Sequence, residues 1–262
     1  MAPSGAVMSR AELRFYGELN DFLAAARRGK DFAWEFSGRP SVKDAIESLG
    51  VPHTEVDLIL ADGESVGFSW GVRDGARLSV YPVFEAIDVG PVTRVRPVPL
   101  RETRFVLDGH LGRLARYLRM AGFDAAWRAD FRDEEVARLS AEQRRIVLTR
   151  DRGLLKRSAV THGAWVRETD PRRQLAEVLR RFDLARSLSP FRRCLRCNGL
   201  LAAVEKAAVA ASLPPRVAER HADFHRCPSC GRVYWKGTHA ASMERLLAEA
   251  VTLAEGDGLS QG

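Results

Sequence analysis

Residues 104–151 read RFVLDGHLGRLARYLRMAGFDAAWRADFRDEEVARLSAEQRRIVLTRD, and this stretch decides the fold of the larger part of the chain. The runs at 104–107 and 146–149 are short, apolar and bounded by polar residues, which predicts two buried strands. Between them, apolar residues recur at helical spacing over 111–118, and a second helix is predicted over 133–143. The stretch therefore alternates strands with helices, as α/β domains do.

The alternation continues beyond this stretch. A short helix is predicted from 154–157, a third strand over 164–167, and a last helix that begins at Pro171. Gly122 is expected to end the first helix. The predicted order is β-α-α-β-α-β-α over residues 103–187, which indicates an α/β domain with a parallel sheet.

Three acidic residues stand where ligands bind in such sheets. Asp108 follows the first strand, Asp151 follows the second, and Asp133 begins the helix that leads into the second strand. Ligands of open α/β sheets bind outside the carboxyl ends of the strands. Converging carboxylates need a cation, and Mg²⁺ or Mn²⁺ bound by oxygen ligands can activate water against a phosphodiester. The alternative is that each aspartate is only a helix cap or a turn residue.

Positive charge is concentrated after residue 90. The chain carries 41 Lys+Arg and 34 Asp+Glu, but its first 90 residues hold 9 of the former and 14 of the latter. The asymmetry favours an acidic module joined to one that binds a polyanion, with the Arg bias of a GC-rich genome as the alternative. Arg150, Arg152 and Lys156 flank Asp151 and are predicted to contact RNA phosphates.

The four cysteines form two C-x-x-C pairs, Cys194 with Cys197 and Cys227 with Cys230, separated by residues 198–226. Two thiolates on one tight turn can reach one ion, and four make the closed tetrahedral site of structural Zn²⁺. A redox dithiol and an iron–sulfur cluster are the alternatives. Because four thiolates leave no open position, zinc catalysis is not expected.

The predicted zinc ribbon spans residues 188–240, and a C-terminal helix and tail follow over 241–262. The ribbon ends in an aromatic and basic stretch in which Trp235 and Lys236 are candidates to stack on bases and to hold phosphates. The alternative is that the aromatic rings pack the ribbon against the rest of the protein.

The first part of the chain, residues 9–90, predicts a small α+β domain of order β-β-α-β-β with a mixed sheet. Its helix has Ser41 as N-cap, Asp44 three residues later and Gly50 as its end. Residues 91–102 contain three prolines and are predicted to form an extended linker.

The first domain resembles the β-grasp, ubiquitin-like fold, and in particular the sulfur carriers of thiamine and molybdopterin synthesis. The resemblance rests on FYGELNDFL, PSVKDAIESLGVPHTEVDLIL and DGARLSVYPVFEAI. Those carriers act through a free C-terminal Gly-Gly, whereas this chain continues through Gly90 and Pro91. We therefore expect a docking or solubilising module rather than a sulfur carrier, with a protein partner for the acidic domain as one candidate.

The larger domain resembles the Mut-7 C-terminal RNase domain, a family of PIN-like nucleases with a C-terminal zinc ribbon. The resemblance rests on FVLDGHLGRLARYLRMAGFDAAW, RDEEVARLSAEQRRIVLTRDRGLLKR and the pattern RCLRCNGLL … FHRCPSCGRVYWKGTH, over about residues 103–240. It implies a metal-dependent ribonuclease whose acids are Asp108, Asp133 and Asp151. The candidates for the fourth acid that is common in PIN-like nucleases are Glu134, Asp124 and Asp170.

The sequence thus predicts a metal-dependent ribonuclease with structural Zn²⁺, catalytic Mg²⁺ or Mn²⁺, and RNA, with tRNA as one candidate, as substrate. A non-catalytic zinc-ribbon RNA-binding protein is the alternative, followed by a protein related to sulfur carriers. No apolar run approaches the roughly 18 residues of a membrane span, and no signal peptide is apparent, so we expect no membrane contact and a cytoplasmic location.

Overall fold

The computed structural model describes residues 8–82, 93–95 and 103–256. The chain divides into two compact units. The first contains the described residues before 96 together with two later segments, Ser140–Arg144 and Asp151–Trp165. The second contains residues 103–139, 145–150 and 166–256.

The first unit is built on a five-stranded sheet. Its strands and helix are β1 (Ser9–Phe15), β2 (Phe32–Phe36), α1 (Val42–Ser48), β3 (Val56–Ala61), β4 (Glu64–Ser65) and β5 (Arg77–Pro82). The sheet has the order β2-β1-β5-β3-β4. Strand β1 runs parallel to β5, and the β1–β2, β3–β4 and β3–β5 pairings are antiparallel. The mixed sheet and the order β-β-α-β-β are as predicted, with the two-residue β4 added.

Local sequence signals fix the helix and a turn of this unit. The Ser41 hydroxyl accepts a hydrogen bond from the Asp44 amide while the Asp44 carboxylate accepts one from the Ser41 amide, so the predicted cap is a complete capping box. After the helix, Gly50 adopts a φ of 97°, which favours glycine. Asp62 and Gly63, both with positive φ, form the turn between β3 and β4.

Part of the predicted linker belongs to the first unit. Val95 is buried in the apolar core of this unit, and the Thr93 hydroxyl donates a hydrogen bond to the Asp57 carbonyl oxygen. The other residues of the predicted linker, 91–92 and 96–102, lie outside the described residues. The sequence also predicts a strand over 77–83, whose last residue, Val83, lies outside the described residues as well.

The middle of the chain alternates strands and helices regularly. Its elements are β6 (Arg104–Leu107), α2 (Gly112–Met120), β7 (Asp124–Ala126), α3 (Asp133–Gln143), β8 (Ile146–Thr149), α4 (Arg152–Leu155), β9 (Gly163–Trp165) and α5 (Pro171–Arg181). In the second unit, β6 pairs in parallel with β7 on one side and with β8 on the other. The predicted parallel sheet is confirmed.

The predicted order β-α-α-β was wrong in one respect, because it omitted β7. This strand has only three residues, Asp-Ala-Ala, and none of them is β-branched or aromatic, so its intrinsic strand preference is low. It forms at an edge by pairing with the buried strand β6. The short helix α4 also begins earlier than predicted, at Arg152, and β9 covers 163–165 rather than 164–167.

The last part of the second unit is a small antiparallel sheet followed by a long helix. Its elements are β10 (Ala202–Val204), α6 (Lys206–Val209), α7 (Pro215–Arg220), β11 (Phe224–Arg226), β12 (Val233–Trp235) and α8 (Thr238–Gly256). The strands pair in the order β10-β11-β12 around a small core of Val209, Leu213 and Phe224. Residues 257–262 of the predicted tail lie outside the described residues.

Five 3₁₀ turns complete the described structure, at Gly17–Phe22, Ala25–Arg27, His53–Glu55, Gly109–Leu111 and Ala210–Ser212. Among the helices of the described residues, none has the length and apolar character needed to cross a membrane.

Candidate functional site

The four cysteines converge on one point. The sulfur atoms of Cys194 and Cys230 are 3.5 Å apart, those of Cys197 and Cys227 are 3.4 Å apart, and all four lie within 4.8 Å of one another. A tetrahedral zinc site with Zn–S bonds of about 2.3 Å places its sulfurs about 3.8 Å apart. The four cysteines could therefore bind a structural zinc ion, in agreement with the prediction.

The two cysteine turns have the same backbone geometry. In the first turn, the backbone amide of Asn198 donates a hydrogen bond to the Cys194 carbonyl oxygen. In the second, the backbone amide of Gly231 donates one to the Cys227 carbonyl oxygen. Asn198 and Gly231 occupy matching positions, directly after the second cysteine of each pair, and both have positive φ, 69° and 74°. Asparagine and glycine are the residues that tolerate this conformation best.

Tyr234 adds a hydrogen bond to this cluster. Its hydroxyl donates to the Cys194 sulfur at 3.1 Å and accepts from the Leu195 amide. Burial raises the pKa of Cys194, but the hydrogen bonds from Tyr234 and from nearby backbone amides outweigh it and lower the pKa to about 6. Burial raises the pKa of Cys197 to about 12. Cys194 is thus already disposed to be the thiolate that metal binding requires.

A buried polar network joins the first cysteine turn to helix α2 and strand β7. The Arg119 guanidinium donates to the carbonyl oxygens of Ala125, Leu195 and Arg196. Arg119 is only 3% exposed, so its guanidinium is buried within this network.

Asp124 anchors the same network. Its carboxylate accepts hydrogen bonds from Arg145 at 2.6 Å and from the Asn198 amide group at 2.7 Å, and Arg193 lies 3.2 Å away. Burial raises the pKa of Asp124, but the hydrogen bonds from Arg145 and Asn198 outweigh it and hold the pKa below its ordinary value. Residue spacing carried no signal for this network, because its members are spread along the chain from Arg119 to Asn198 and several of them lie in loops.

Asp108 lies at the carboxyl end of the central strand β6. Its side chain is 16% exposed and makes no capping hydrogen bond to the 3₁₀ turn that follows. Instead, Oδ2 accepts a hydrogen bond from the Thr149 hydroxyl at 2.7 Å and lies 3.2 Å from Nδ1 of His110. Thr149 ends the neighbouring strand β8, so the carboxylate sits at the shared edge that the sequence predicted.

The turn after Asp108 packs against the side chain of Trp127. The Trp127 ring nitrogen donates to the Gly109 carbonyl oxygen at 3.0 Å. A Cβ atom added at Gly112 would lie 2.5 Å from the Trp127 ring, so only glycine fits there. Indole and glycine together fix the path of the chain as it leaves the strand end.

The other two predicted acids occupy helix starts. Asp133 is the first residue of α3 and is half-buried. Asp151 is exposed and caps α4, where its carboxylate accepts a hydrogen bond from the Gly153 amide at 2.7 Å. Among the described residues, the four cysteines form a group whose ligand atoms converge enough to hold a metal, and no such group contains these two aspartates or Asp108.

The candidates for a fourth acid have structural partners. Asp124 belongs to the network described above, and Asp170 caps α5 by accepting hydrogen bonds from the amides of Arg172 and Arg173. The cap at Asp170 agrees with the alternative assignment of a plain N-cap. Glu134 is exposed in the first turn of α3 and has interactions of its own.

The predicted phosphate-binding residues near Asp151 make contacts within the chain. Arg150 donates to the carbonyl oxygens of Val166, Arg167 and Glu168. Arg152 stacks over the Trp165 ring, 4.1 Å from its centroid, and the Lys156 ammonium donates to the Glu47 carbonyl oxygen at 2.9 Å.

The two candidates in the ribbon differ in their surroundings. Trp235 is half-buried and packs against the small core around Phe224. Lys236 is exposed, and its ammonium lies 5.7 Å from the centroid of the Phe191 ring. Lys236 is therefore the more accessible of the two.

Comparison with known proteins agrees with this arrangement of a parallel sheet, a four-cysteine cluster and a separate mixed-sheet unit. Residues 103–247 match the model of the Mut7-C RNAse domain, and residues 8–88 match that of the Mut7-C ubiquitin domain. Because the first match covers more than half of the chain, the protein belongs to the Mut7-C RNase family.

Other comparisons add little. No curated protein matches the chain. Among solved structures, the crystal structure of H. volcanii small archaeal modifier protein 1 is 19% identical, with a TM-score of 0.24; the match covers 29% of this chain and 99% of that protein.

Proposed function

We propose that the protein is a metal-dependent ribonuclease of the PIN-like type that hydrolyses RNA phosphodiester bonds. The observation that carries this proposal is the position of Asp108, a shielded carboxylate at the carboxyl end of the central parallel strand. Ligands of open α/β sheets bind at that edge. The Mut7-C RNAse domain match supports nuclease activity independently.

The contacts of Asp108 favour a ligand over a structural role. An aspartate that served only to cap the following turn would accept a hydrogen bond from a backbone amide, and Asp108 accepts none there. The Thr149 hydroxyl fixes the orientation of the carboxylate through Oδ2. Carboxylate and hydroxyl oxygens are hard donors, which suits Mg²⁺ or Mn²⁺.

In this proposal Asp108, Asp133 and Asp151 hold Mg²⁺ or Mn²⁺. Such an ion, when bound, lowers the pKa of water and stabilises the leaving oxygen of a phosphodiester. The zinc ion has a different role, because four cysteine ligands leave no open position and the ion serves to fold the ribbon.

Basic side chains supply the RNA contacts. We assign phosphate binding to Arg150, Arg152, Lys156 and Lys236, and base stacking to Trp235, with the zinc ribbon aiding RNA binding. Lys236 has the best supporting geometry, since it is exposed. The substrate is cellular RNA in the cytoplasm, with tRNA first among the classes to test, and the acidic N-terminal domain meets a protein partner.

A non-catalytic RNA-binding protein is the second candidate function. The capping hydrogen bond from the Gly153 amide to Asp151 favours it, because it gives that aspartate a structural role.

The test is a cleavage assay on mixed cellular RNA with Mn²⁺ or Mg²⁺. We expect the wild-type chain to cleave, and Asp108→Asn to lose at least about 100-fold in rate, since one carboxylate charge is removed while the Thr149 hydrogen bond can remain. The matched control is Asp170→Asn. It changes an exposed aspartate that caps α5, and asparagine caps helices equally well.

Equal cleavage by Asp108→Asn and the wild type would contradict the proposal. RNA binding without any cleavage by the wild type would favour the second candidate instead.

A further inference from the structure

Residues 151–165, hereafter the 151–165 arm, are built into the first unit. The arm belongs by sequence to the Mut7-C RNAse match, whereas the rest of that unit contains the ubiquitin-like module, residues 8–82. The arm carries Asp151 at its start and contains α4 and β9. Its contacts with the ubiquitin-like module include specific hydrogen bonds and aromatic packing.

His53 of the module holds the middle of the arm. It is 7% exposed; its Nε2 lies 2.8 Å from the Val160 carbonyl oxygen and its Nδ1 lies 2.7 Å from Oε1 of Glu47. A carbonyl oxygen can only accept a hydrogen bond, so Nε2 of His53 is the donor to Val160. This hydrogen bond ties the backbone of the arm to a buried side chain of the module.

A second polar pair holds the end of the arm. Glu55 of the module is fully buried, and its Oε1 accepts a hydrogen bond from the Trp165 amide at 2.6 Å. Near the start of the arm, the Lys156 ammonium donates to the Glu47 carbonyl oxygen at 2.9 Å. The polar contacts reach backbone atoms at Val160 and Trp165, so they fix the path of the chain as well as its packing.

Aromatic packing fixes the residue next to Asp151. The Arg152 guanidinium lies 4.1 Å from the centroid of the Trp165 ring and 4.9 Å from that of Phe22, a module residue. Phe22 and Trp165 are themselves in contact, with centroids 5.2 Å apart. Cation–π contacts of this kind favour one position of the Arg152 side chain.

The arm cannot hold this shape by itself. Helix α4 has only four residues, far below the roughly 12 that an isolated helix needs in water. Its order therefore comes from the surfaces it packs on, and in the first unit those surfaces include Glu47, His53 and Phe22 of the ubiquitin-like module.

We propose that the ubiquitin-like module positions the 151–165 arm for catalysis, with His53 as the principal positioning residue. The module thus works as a built-in scaffold for the segment that carries Asp151, and not as a carrier or a detachable tag. This inference rests on the proposed nuclease function, in which Asp151 takes part.

The experiment uses the full-length, zinc-loaded chain with His53→Ala, His53→Gln and the control Leu13→Ala. Leu13 is fully buried in β1 of the module, so its truncation weakens the module and leaves the polar contacts to the arm in place. The measurements are kcat and KM for cleavage of cellular RNA with Mn²⁺, and amide hydrogen exchange of residues 152–165.

We expect His53→Ala to speed exchange in the arm and to lower kcat at least tenfold while KM changes less than twofold. His53→Gln should recover part of kcat, because its amide group can donate to the Val160 carbonyl oxygen. Leu13→Ala, assayed at a temperature where it is folded, should keep kcat within about twofold of the wild type. This substitution lowers the stability of the module but leaves its contacts with the arm in place.

An unchanged kcat in His53→Ala would overturn the inference, and so would an equal loss of kcat in folded Leu13→Ala. If the wild-type chain cleaves no RNA, the proposed function fails instead. In that case, hydrogen exchange alone tests whether the module holds the arm. If the arm exchanges equally fast in the wild type and in His53→Ala, His53 does not hold it.

Discussion

Asp108 and Asp151 show how differently two aspartates can be used at strand ends. Asp108 follows its strand directly and Asp151 follows its strand after one residue, so the sequence predicts the same role for both. In the structure, Asp151 caps a helix, whereas Asp108 accepts from the Thr149 side chain and leaves the following turn uncapped. The two aspartates differ in the donor, which is a backbone amide of the following helix for Asp151 and a side-chain hydroxyl of the neighbouring strand for Asp108.

Asp124 is the residue whose protonation should govern stability in acid. Its folded-state pKa is lowered, so its stabilising contribution is present above the ordinary aspartate pKa of about 3.9 and is lost as pH falls through the lower folded value. Asp124→Asn should cost about 3 kcal/mol near pH 7, because Arg145 and Arg193 lose a buried partner. The difference from the wild type should shrink below about pH 4.

Urea unfolding at several pH values measures this difference. Asp130→Asn is the control, because Asp130 forms an exposed ion pair with Arg128 and its loss should change stability little. A cost for Asp124→Asn that stays constant down to pH 3 would show that the charge of Asp124 is not what stabilises the network.

At the scale of elements, the sequence predicted those elements that have strong local signals. The bounds of β6, β8 and α3 match the predicted ones, because apolar runs and helical periods mark them clearly. Strand β7 was missed because its three small residues become a strand only through pairing with β6. The role of Arg119 had no local signal either, because it joins the carbonyl oxygen of nearby Ala125 to those of Leu195 and Arg196, which are far along the chain.

The cysteine turns were predictable because their whole signal is local. Two C-x-x-C pairs, each followed by a residue that tolerates positive φ, define the metal-binding geometry without reference to the rest of the fold. Tyr234, which donates to Cys194, was not predictable as a partner, since the strand pairing of β11 and β12 sets its position.

Cys227→Ser should remove zinc and loosen the ribbon. We expect the variant to lose about one equivalent of zinc and to be cleaved readily by protease around β10 to β12, because a small sheet with a three-residue core depends on the metal for its stability. Zinc content and limited proteolysis measure the outcome. Ser229→Ala, which changes the exposed residue between the cysteines of the same turn, should keep its zinc. Full zinc content in Cys227→Ser would contradict the four-cysteine assignment.

At the scale of the whole molecule, charge and motifs predicted an acidic N-terminal domain and a basic remainder, and two separate family models match residues 8–88 and 103–247. The sequence did not predict that the 151–165 arm belongs to the first unit. The contact from His53 to Val160 joins residues 107 positions apart, and a lone histidine in a helix-to-strand turn carries no local signal for such a contact. Long-range polar contacts of this kind cannot be predicted from local sequence patterns, because they depend on how the chain folds.

The central claim is that Asp108 holds a divalent cation at the edge of the parallel sheet. The most direct measurement is Mn²⁺ binding to the zinc-loaded full-length chain, followed by electron paramagnetic resonance, for the wild type, Asp108→Asn and Asp170→Asn. We predict that the wild type and Asp170→Asn bind Mn²⁺ alike. Asp108→Asn should bind at least about tenfold more weakly with its zinc content unchanged, since one anionic ligand is lost. Equal Mn²⁺ affinity in all three proteins would contradict the account and leave Asp108 a structural residue.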